Sequence, residues 1–241
     1  MPKDVRLDRR SFTLGLTGAL ALTLLPTRAR AGSGKVLILG GSTIHSALGK
    51  TIEETLQAAG ISTQRQAKSS SGLARPDFYD WPTNAKAYTD RFAPDAVVVM
   101  FGGNDGQALF MGEDASPKWI KWEDDGWSAE YRARVAAFAD AVSGGGARIV
   151  WLGMPDMRSS KLNERMQRMN GIYEAEMNAR KNGHYVSTQT LIPGVSGYAD
   201  FAKIDGKEVR VRAEDGVHYS LHGAKIVAGA IAPQVVTLLG G

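Results

Sequence analysis

The chain has 241 residues, of which 29 are basic and 25 acidic, and it contains no cysteine. The absence of cysteine excludes a disulfide scaffold and a thiolate metal site. Residues 1–31 hold six of the basic and two of the acidic residues, which leaves 23 of each in the remainder and no net charge there. This balance argues against a nucleic-acid footprint and against a polybasic membrane patch.

Residues 1–31 have the layout of an export signal, with a basic start, an apolar middle and a small-residue end that closes at Ala31. The apolar part spans about 14 residues, whereas a membrane span needs roughly 20. The pair Arg9 and Arg10 resembles a twin-arginine signal. The general secretory route and an uncleaved anchor are the alternatives. We predict cleavage after Ala31, a periplasmic or secreted protein without a stable membrane anchor, and a single domain over residues 32–241.

The first half of this domain alternates apolar runs with helical patterns. Strands are predicted at 35–40, 62–68 and 95–103, and helices at 47–60 and 84–92. The first and third strands are continuous apolar runs, as is typical of strands that a parallel sheet buries on both faces.

The second half continues the same alternation. In chain order it predicts a helix over 128–146, a strand over 147–155, a helix over 159–182, a strand over 184–190, a hairpin over 201–212 and a closing helix over 220–239. Strands that alternate with helices indicate an α/β protein, a three-layer, doubly wound parallel sheet of about five strands. In such sheets functional sites lie outside the carboxyl ends of the strands.

The loop after the first strand contains Ser42, which directly precedes helical sequence. Backbone N–H groups at a helix start can stabilise a developing oxyanion, so a serine there can act as a nucleophile. The alternative is that the hydroxyl only caps the helix.

Two later loops offer hydrogen-bond donors. In residues 69–82, Gly72 can present its backbone N–H, and in the sequence GGND, residues 102–105, Asn104 offers a side-chain amide. Glycine lets the backbone approach a partner closely, and Asp105 can brace the loop. The alternative is that GGND is an ordinary turn.

Near the end of the chain, Asp215 and His218 stand three positions apart. At this spacing the carboxylate can orient the imidazole. An acid and a base in this arrangement are two of the three members of a triad that activates a nucleophile. His218 and His222 also have a spacing that suits zinc, but no glutamate follows His218 as an H-E-x-x-H site requires. We therefore assign no metal, and the residues require no organic cofactor.

The segment 106–127 follows the GGND loop and is expected to hang over the site. It contains Trp119, Trp122 and Trp127, whose rings can stack on sugars. The alternative is that these tryptophans pin a long loop onto the domain.

Taken together, the blocks LGGST, SSSGLARP, GGND and DGVH resemble the SGNH hydrolases, also called the GDSL esterase/lipase superfamily, in their exported branch. The resemblance implies a flavodoxin-like three-layer fold. It implies that Ser42 is the nucleophile, His218 the base and Asp215 its orienting acid. It also implies that the N–H groups of Ser42 and Gly72 and the side chain of Asn104 bind the oxyanion.

One position departs from the family pattern, because Gly41 stands where the first block usually has aspartate. The departure leaves Ser42 able to react and leaves the bracing of its loop open. The resemblance implies a serine esterase. The export signal and the tryptophan segment add the expectation that it is exported and removes small acyl groups, above all acetyl, from a carbohydrate. A polysaccharide O-acyltransferase with the same triad and a catalytically inactive glycan-binding protein are the alternatives. The expected partners are an acylated carbohydrate or small ester and other cell-envelope polysaccharide machinery, and no nucleic acid.

Overall fold

A computed structural model of the protein describes residues 34–240, and the predicted export signal with its cleavage site lies outside this range. In chain order the elements are β1 (Lys35–Gly40), α1 (Ser42–His45), α2 (Ala47–Ala58), β2 (Ser62–Ala67), α3 (Trp81–Phe92), β3 (Ala96–Met100), β4 (Leu109–Phe110), β5 (Trp119–Ile120), α4 (Trp127–Ser143), β6 (Arg148–Leu152), α5 (Ser160–Asn178), β7 (Gly183–Val186), β8 (Phe201–Ile204), β9 (Lys207–Arg210) and α6 (Leu221–Leu238).

Five parallel strands form the central sheet in the order β2-β1-β3-β6-β7. Helix α2 packs against α6, and α4 packs against α3 and α5, so helices flank the sheet. The predicted three-layer parallel sheet is therefore confirmed. Gly40 pairs with Ala67 on one side and Met100 on the other, so three strands end at the same level. The loops that follow these strands meet at that edge.

Helix α3 begins at Trp81, three residues before the predicted start. Asp80 caps it, because its carboxylate accepts a hydrogen bond from the Thr83 N–H at 3.2 Å. Pro82 lies in the first turn, where its missing N–H removes no helical hydrogen bond. The sequence contained this start signal, and the prediction placed the boundary too late.

An aromatic cluster fixes the end of β3. The ring of Phe101 lies edge-on to Trp81, Phe138 and Trp151, with centroids 4.9, 5.1 and 6.0 Å away. Such pairs each contribute about 0.5–1.5 kcal/mol beyond the burial of area. Because Phe101 directly precedes Gly102, this packing holds the start of the GGND loop. Gly102 itself has φ of 143°, a conformation that favours glycine.

Two hairpins lie outside the central sheet. Strands β8 and β9 form the predicted hairpin, with Asp205 and Gly206 at positive φ in its turn. Strands β4 and β5 form a second, shorter hairpin within residues 106–127. The sequence did not predict it, because two-residue strands are too short to show an alternating pattern.

Candidate active site

Ser42 is the first residue of α1, directly after the sheet edge. The helix has Gly41 at its N-cap position and no side-chain capping bond, so the Ser42 hydroxyl does not serve as a cap. Instead, the Ser42 Oγ lies 2.8 Å from the Nε2 of His218. The structure therefore brings together two predicted site residues that are 176 positions apart in the sequence.

Asp215 holds the other side of the His218 ring. Its Oδ2 lies 2.7 Å from the His218 Nδ1. Its Oδ1 accepts hydrogen bonds from the backbone N–H groups of Val217 at 2.8 Å and His218 at 2.9 Å. The carboxylate thus fixes both the ring and the backbone of the histidine that it orients.

The charge state of Asp215 decides where the imidazole carries its proton. Burial opposes the negative charge, but the hydrogen bonds from the His218 ring and from the two backbone N–H groups outweigh it and lower the pKa of Asp215 to about 2. The ionised carboxylate requires a proton on Nδ1, which leaves Nε2 free to accept the Ser42 hydroxyl proton. The side chains of His218 and Asp215 are 25% and 49% exposed, so the pair is open to solvent.

The three predicted oxyanion donors come from loops that touch one another. The Asn104 Nδ2 donates to the Ser71 carbonyl at 3.3 Å, and a β-carbon added to Gly41 would lie 3.0 Å from that same oxygen. Within residues 34–240, the N–H groups of Ser42 and Gly72 donate to no backbone or side-chain acceptor. Two backbone N–H groups therefore keep their hydrogen-bonding capacity in adjoining loops, and the Asn104 amide, which uses one hydrogen on the Ser71 carbonyl, has a second one.

Close approach explains the glycine at position 41. The missing aspartate of the family pattern would place its β-carbon against the Ser71 carbonyl, at the 3.0 Å separation given above. Backbone contacts hold the loop instead: the Gly41 N–H donates to the Met100 carbonyl at 3.3 Å, and the Lys68 N–H donates to the Gly40 carbonyl at 3.1 Å. The serine loop is thus tied to both neighbouring strand ends.

A fully buried carboxylate supports the Gly72 loop. The Asp105 Oδ1 accepts from the Ala74 N–H at 2.9 Å, and Oδ2 accepts from the Tyr131 hydroxyl at 2.8 Å. The Tyr131 hydroxyl also pairs with that of Tyr173 at 2.7 Å. A β-carbon added to Gly72 would lie 2.1 Å from Asp105 Oδ1, so only glycine fits there without displacing the carboxylate.

The electrostatic state of Asp105 differs from that of Asp215. Burial raises the pKa of Asp105, and the hydrogen bonds from Ala74 and Tyr131 offset only part of that effect. Burial also raises the pKa of Tyr131 well above its usual value. The sequence predicted that Asp105 braces its own GGND loop, whereas its carboxylate holds the neighbouring Gly72 loop, and the sequence indicated neither tyrosine.

Arg134 completes the support of the Gly72 loop. Its guanidinium donates to the carbonyls of Leu73 and Ala74, both at 3.0 Å, and to that of Phe110 at 2.6 Å. This arginine ties the loop to the hairpin that follows GGND. Its position on α4 gave no local signal of such a role.

The three tryptophans of residues 106–127 do not share one environment. Trp127 is fully buried, stacks on Tyr131 at 4.8 Å and donates its indole N–H to the Gln107 carbonyl. Its assignment as a substrate-binding residue is therefore wrong, and it pins the segment to the domain. Trp122 is partly exposed; its ring centroid lies 4.3 Å from that of Trp127, and the guanidinium of Arg168 contacts both rings, at 4.5 and 4.9 Å.

Trp119 is also partly exposed. Its ring packs against Phe110 at 4.9 Å, and the guanidinium of Arg75 lies 5.1 Å from its centroid. Of the three rings, those of Trp119 and Trp122 retain exposed surface that a ligand can contact.

Solved structures of esterases and lipases share this fold. A carbohydrate esterase of family 3 from Talaromyces cellulolyticus has 14% identity and a TM-score of 0.57, with 86% of this chain and 98% of that chain covered. The esterase EstA from a Pseudoalteromonas species has 13% identity, a TM-score of 0.54 and coverage of 86% and 99%. A GDSL-like lipase from Bacteroides thetaiotaomicron has 16% identity, a TM-score of 0.53 and coverage of 84% and 87%. A comparison with curated proteins finds no match.

The parallel sheet and these similarities define the class: the chain has the fold of the SGNH hydrolases. Within that class, residues 35–234 match the family described as "Protein of unknown function (DUF459)". The match covers most of the chain, and the protein belongs to this family.

Proposed function

We propose that the protein is a serine esterase that hydrolyses small O-acyl esters with a triad of Ser42, His218 and Asp215. Acetyl is the acyl group that we propose it removes. One observation carries the proposal. The Ser42 Oγ, the His218 ring and the Asp215 carboxylate form a chain of two hydrogen bonds, 2.8 and 2.7 Å long. A hydroxyl, a base and an acid in this order are what nucleophilic acyl transfer requires.

In the first half of the reaction, the Ser42 Oγ attacks the ester carbonyl while His218 Nε2 takes the hydroxyl proton. The Asp215 carboxylate stabilises the imidazolium that forms. His218 then gives the proton to the alcohol oxygen, the ester C–O bond breaks, and the acyl group stays on Ser42. In the second half, His218 removes a proton from a water molecule, which attacks the acyl carbon. His218 then returns this proton to the Ser42 Oγ as the bond between Oγ and the acyl carbon breaks, which releases the acid and restores Ser42.

The tetrahedral intermediate needs donors for its negative oxygen. The N–H groups of Ser42 and Gly72 and the side-chain amide of Asn104 fill this role in the proposed mechanism. Loss of one such donor typically lowers the rate about 10²–10³-fold.

The proposal of a small acyl group rests on solved structures that share the fold. A solved acetyl esterase and the family 3 carbohydrate esterase share the fold, which supports acetyl groups on a carbohydrate as the target.

The exposure of His218 and Asp215 leaves room for a bulky alcohol on the other side of the ester. A carbohydrate meets this requirement, and Trp119 and Trp122 are the rings that we propose contact it. Export through residues 1–31 to the periplasm or beyond is part of the same proposal. The same openness admits a sugar hydroxyl in place of water, so polysaccharide O-acyl transfer is the second candidate function.

Turnover of a chromogenic acetyl ester by purified protein tests the proposal. We expect Ser42→Ala to lower kcat on the order of 10⁶-fold, as removal of a serine nucleophile does elsewhere. The matched control is Ser46→Ala, because the Ser46 hydroxyl binds only the Thr43 carbonyl among the described residues, and it should retain the wild-type rate. Equal turnover by wild type and Ser42→Ala would remove the proposed nucleophile.

Two further measurements separate the alternatives. A serine-directed phosphonate, mapped by mass spectrometry, should label Ser42 in the wild type and lose that label in His218→Ala. Incubation with an acetyl donor and oligosaccharides should give free acetic acid for an esterase and acetylated sugar for a transferase. A protein that binds oligosaccharides without labelling or turnover would be a binding protein instead.

A further inference from the structure

The segment that carries Asp215 and His218 is a closed loop with a narrow neck. Arg212 and Tyr219 form an antiparallel backbone bridge at its base. The Ala213 N–H donates to the His218 carbonyl at 2.9 Å. Residues 213–218 therefore project from this bridge as a six-residue loop.

The side chain of Arg212 fills the inside of this loop. Its Nε donates to the His218 carbonyl at 3.3 Å and its Nη2 to the Val217 carbonyl at 2.6 Å. Its Nη1 donates to the carbonyl of Asp156, in the segment after β6, at 2.5 Å. This single guanidinium thus links the backbone of Val217 and His218 to the segment at the carboxyl end of the central sheet.

The position of Arg212 is unfavourable for a charged group, because burial removes the guanidinium from water. Its residue is only 4% exposed, and within residues 34–240 every oxygen that accepts a hydrogen bond from its side chain is a backbone carbonyl. Burial lowers the pKa of Arg212, since removal from water disfavours the cation. The rings of Tyr198 and Tyr219 lie 5.1 Å from the guanidinium and offset part of that cost.

A second arginine holds the same loop from outside. Arg158 donates from Nη1 to the Glu214 carbonyl at 2.7 Å, and its backbone N–H donates to the Gly216 carbonyl at 3.2 Å. Its side chain is 45% exposed and pairs with Asp200. The buried arginine therefore contacts the histidine end of the loop, and the exposed one contacts the opposite end.

We infer that Arg212 is a positioning residue, which sets the place of the His218 ring relative to the Ser42 Oγ by fixing the carbonyls of Val217 and His218. The inference rests on the proposed function. Arginine suits the task because its planar fork reaches three divergent carbonyls, whereas a lysine ammonium is a single point donor. No atom of Arg212 needs to touch the substrate.

Three variants test the role through kinetics. Arg212→Met should lower kcat on the order of 10²-fold, the effect of a displacement of about 1 Å at a reacting group, and should change KM far less. Arg212→Lys should recover part of the loss. The matched control is Arg180→Met, because Arg180 is also mostly buried, donates to the Ala136 carbonyl and pairs with Asp140 and Glu176 on the helical face.

The control should lower the melting temperature and leave kcat unchanged. A kcat loss in Arg180→Met as large as in Arg212→Met would overturn the inference, because the effect would then follow stability alone. So would a rise in KM at constant kcat in Arg212→Met.

Hydrogen–deuterium exchange gives a readout that does not depend on turnover. In Arg212→Met, the peptide that contains residues 211–220 should exchange faster than in the wild type, and in Arg180→Met it should not. Equal exchange of this peptide in both variants would overturn the inference. If the wild type neither turns over esters nor reacts with the phosphonate, the proposed function fails, and the exchange comparison still decides whether Arg212 holds the loop.

Discussion

The loop that contains Gly72 and the loop that contains His218 are each held by one carboxylate and one arginine. In each, a carboxylate accepts backbone N–H groups: Asp105 binds that of Ala74, and Asp215 binds those of Val217 and His218. In each, an arginine donates to carbonyls of the loop: Arg134 on the oxyanion side and Arg212 on the base side.

The two carboxylates nevertheless differ in charge balance. Asp105 is fully buried, and desolvation raises its pKa. Asp215 has a side chain that is 49% exposed, and hydrogen bonds lower its pKa to about 2. Similar hydrogen bonds therefore serve different roles at the two places: Asp105 braces a loop in the core, and Asp215 is a charged partner for an imidazole near the surface. The difference arises because the free-energy cost of removing the carboxylate from water is larger in the core.

A substitution of Asp215 tests the loop that contains His218. Asp215→Asn should lower kcat about 10⁴-fold, because an amide at this position favours the wrong histidine tautomer. The melting temperature at neutral pH should fall modestly, because the charge of Asp215 is lost while the side chain is half exposed and the amide oxygen can still accept from the loop backbone. Ester hydrolysis at different pH values, together with thermal unfolding, measures both. A variant that keeps the wild-type rate would show that Asp215 does not orient His218.

A smaller effect is expected on the oxyanion side. Gly72→Ala would place a methyl group 2.1 Å from Asp105 Oδ1, so the loop must move and displace one donor. We expect kcat to fall about 10²–10³-fold, the usual cost of one oxyanion donor. Gly171→Ala on α5 is the control, because a β-carbon there would meet no atom within 4 Å outside its own helix backbone, and it should retain the wild-type rate. Equal losses in the two variants would contradict the close approach of Gly72 and Asp105.

The smallest effect is a contrast in the pH dependence of stability, measured by urea unfolding of wild type, Asp215→Asn and Asp105→Asn. Hydrogen bonds lower the pKa of Asp215 in the folded state to about 2, below its ordinary value of 3.8. Its contribution to folding stability is therefore present above pH 3.8 and is lost as pH falls towards 2. The stability advantage of wild type over Asp215→Asn should therefore shrink over that range.

Asp105 should show the opposite sign. Its folded pKa is raised, so the folded state binds the proton more tightly, and wild-type stability should fall relative to Asp105→Asn as pH rises above 3.8. Parallel slopes for the two variants would contradict the difference between the carboxylates.

The sequence predicted those features that depend on local pattern. Continuous apolar runs predicted the three central strands of the sheet, β1, β3 and β6, and the spacing of three residues placed Asp215 beside His218 in the same turn. Ser42 and Asn104 followed from their positions directly after buried strands. These signals are readable because each needs only a few neighbouring residues.

The supporting residues could not be predicted in the same way. Tyr131 reaches Asp105 across 26 positions, and Arg212 reaches the Asp156 carbonyl across 56. Each lies in ordinary amphipathic or alternating sequence that does not indicate its partner. Trp127 shows the same limit, because its neighbours in the sequence are polar while its ring is fully buried on Tyr131.

The separation of 176 residues between Ser42 and His218 has a consequence for biosynthesis. A nascent chain carries the hydroxyl from its first strand onward, but it lacks a base until residue 218 has left the ribosome. Helix α6 begins only three residues later and packs on α2, so the bridge at Arg212 and Tyr219 gains this support only after residues 221–238 have also been made. On the proposed function, a translation product that stops before residue 218 is therefore inert.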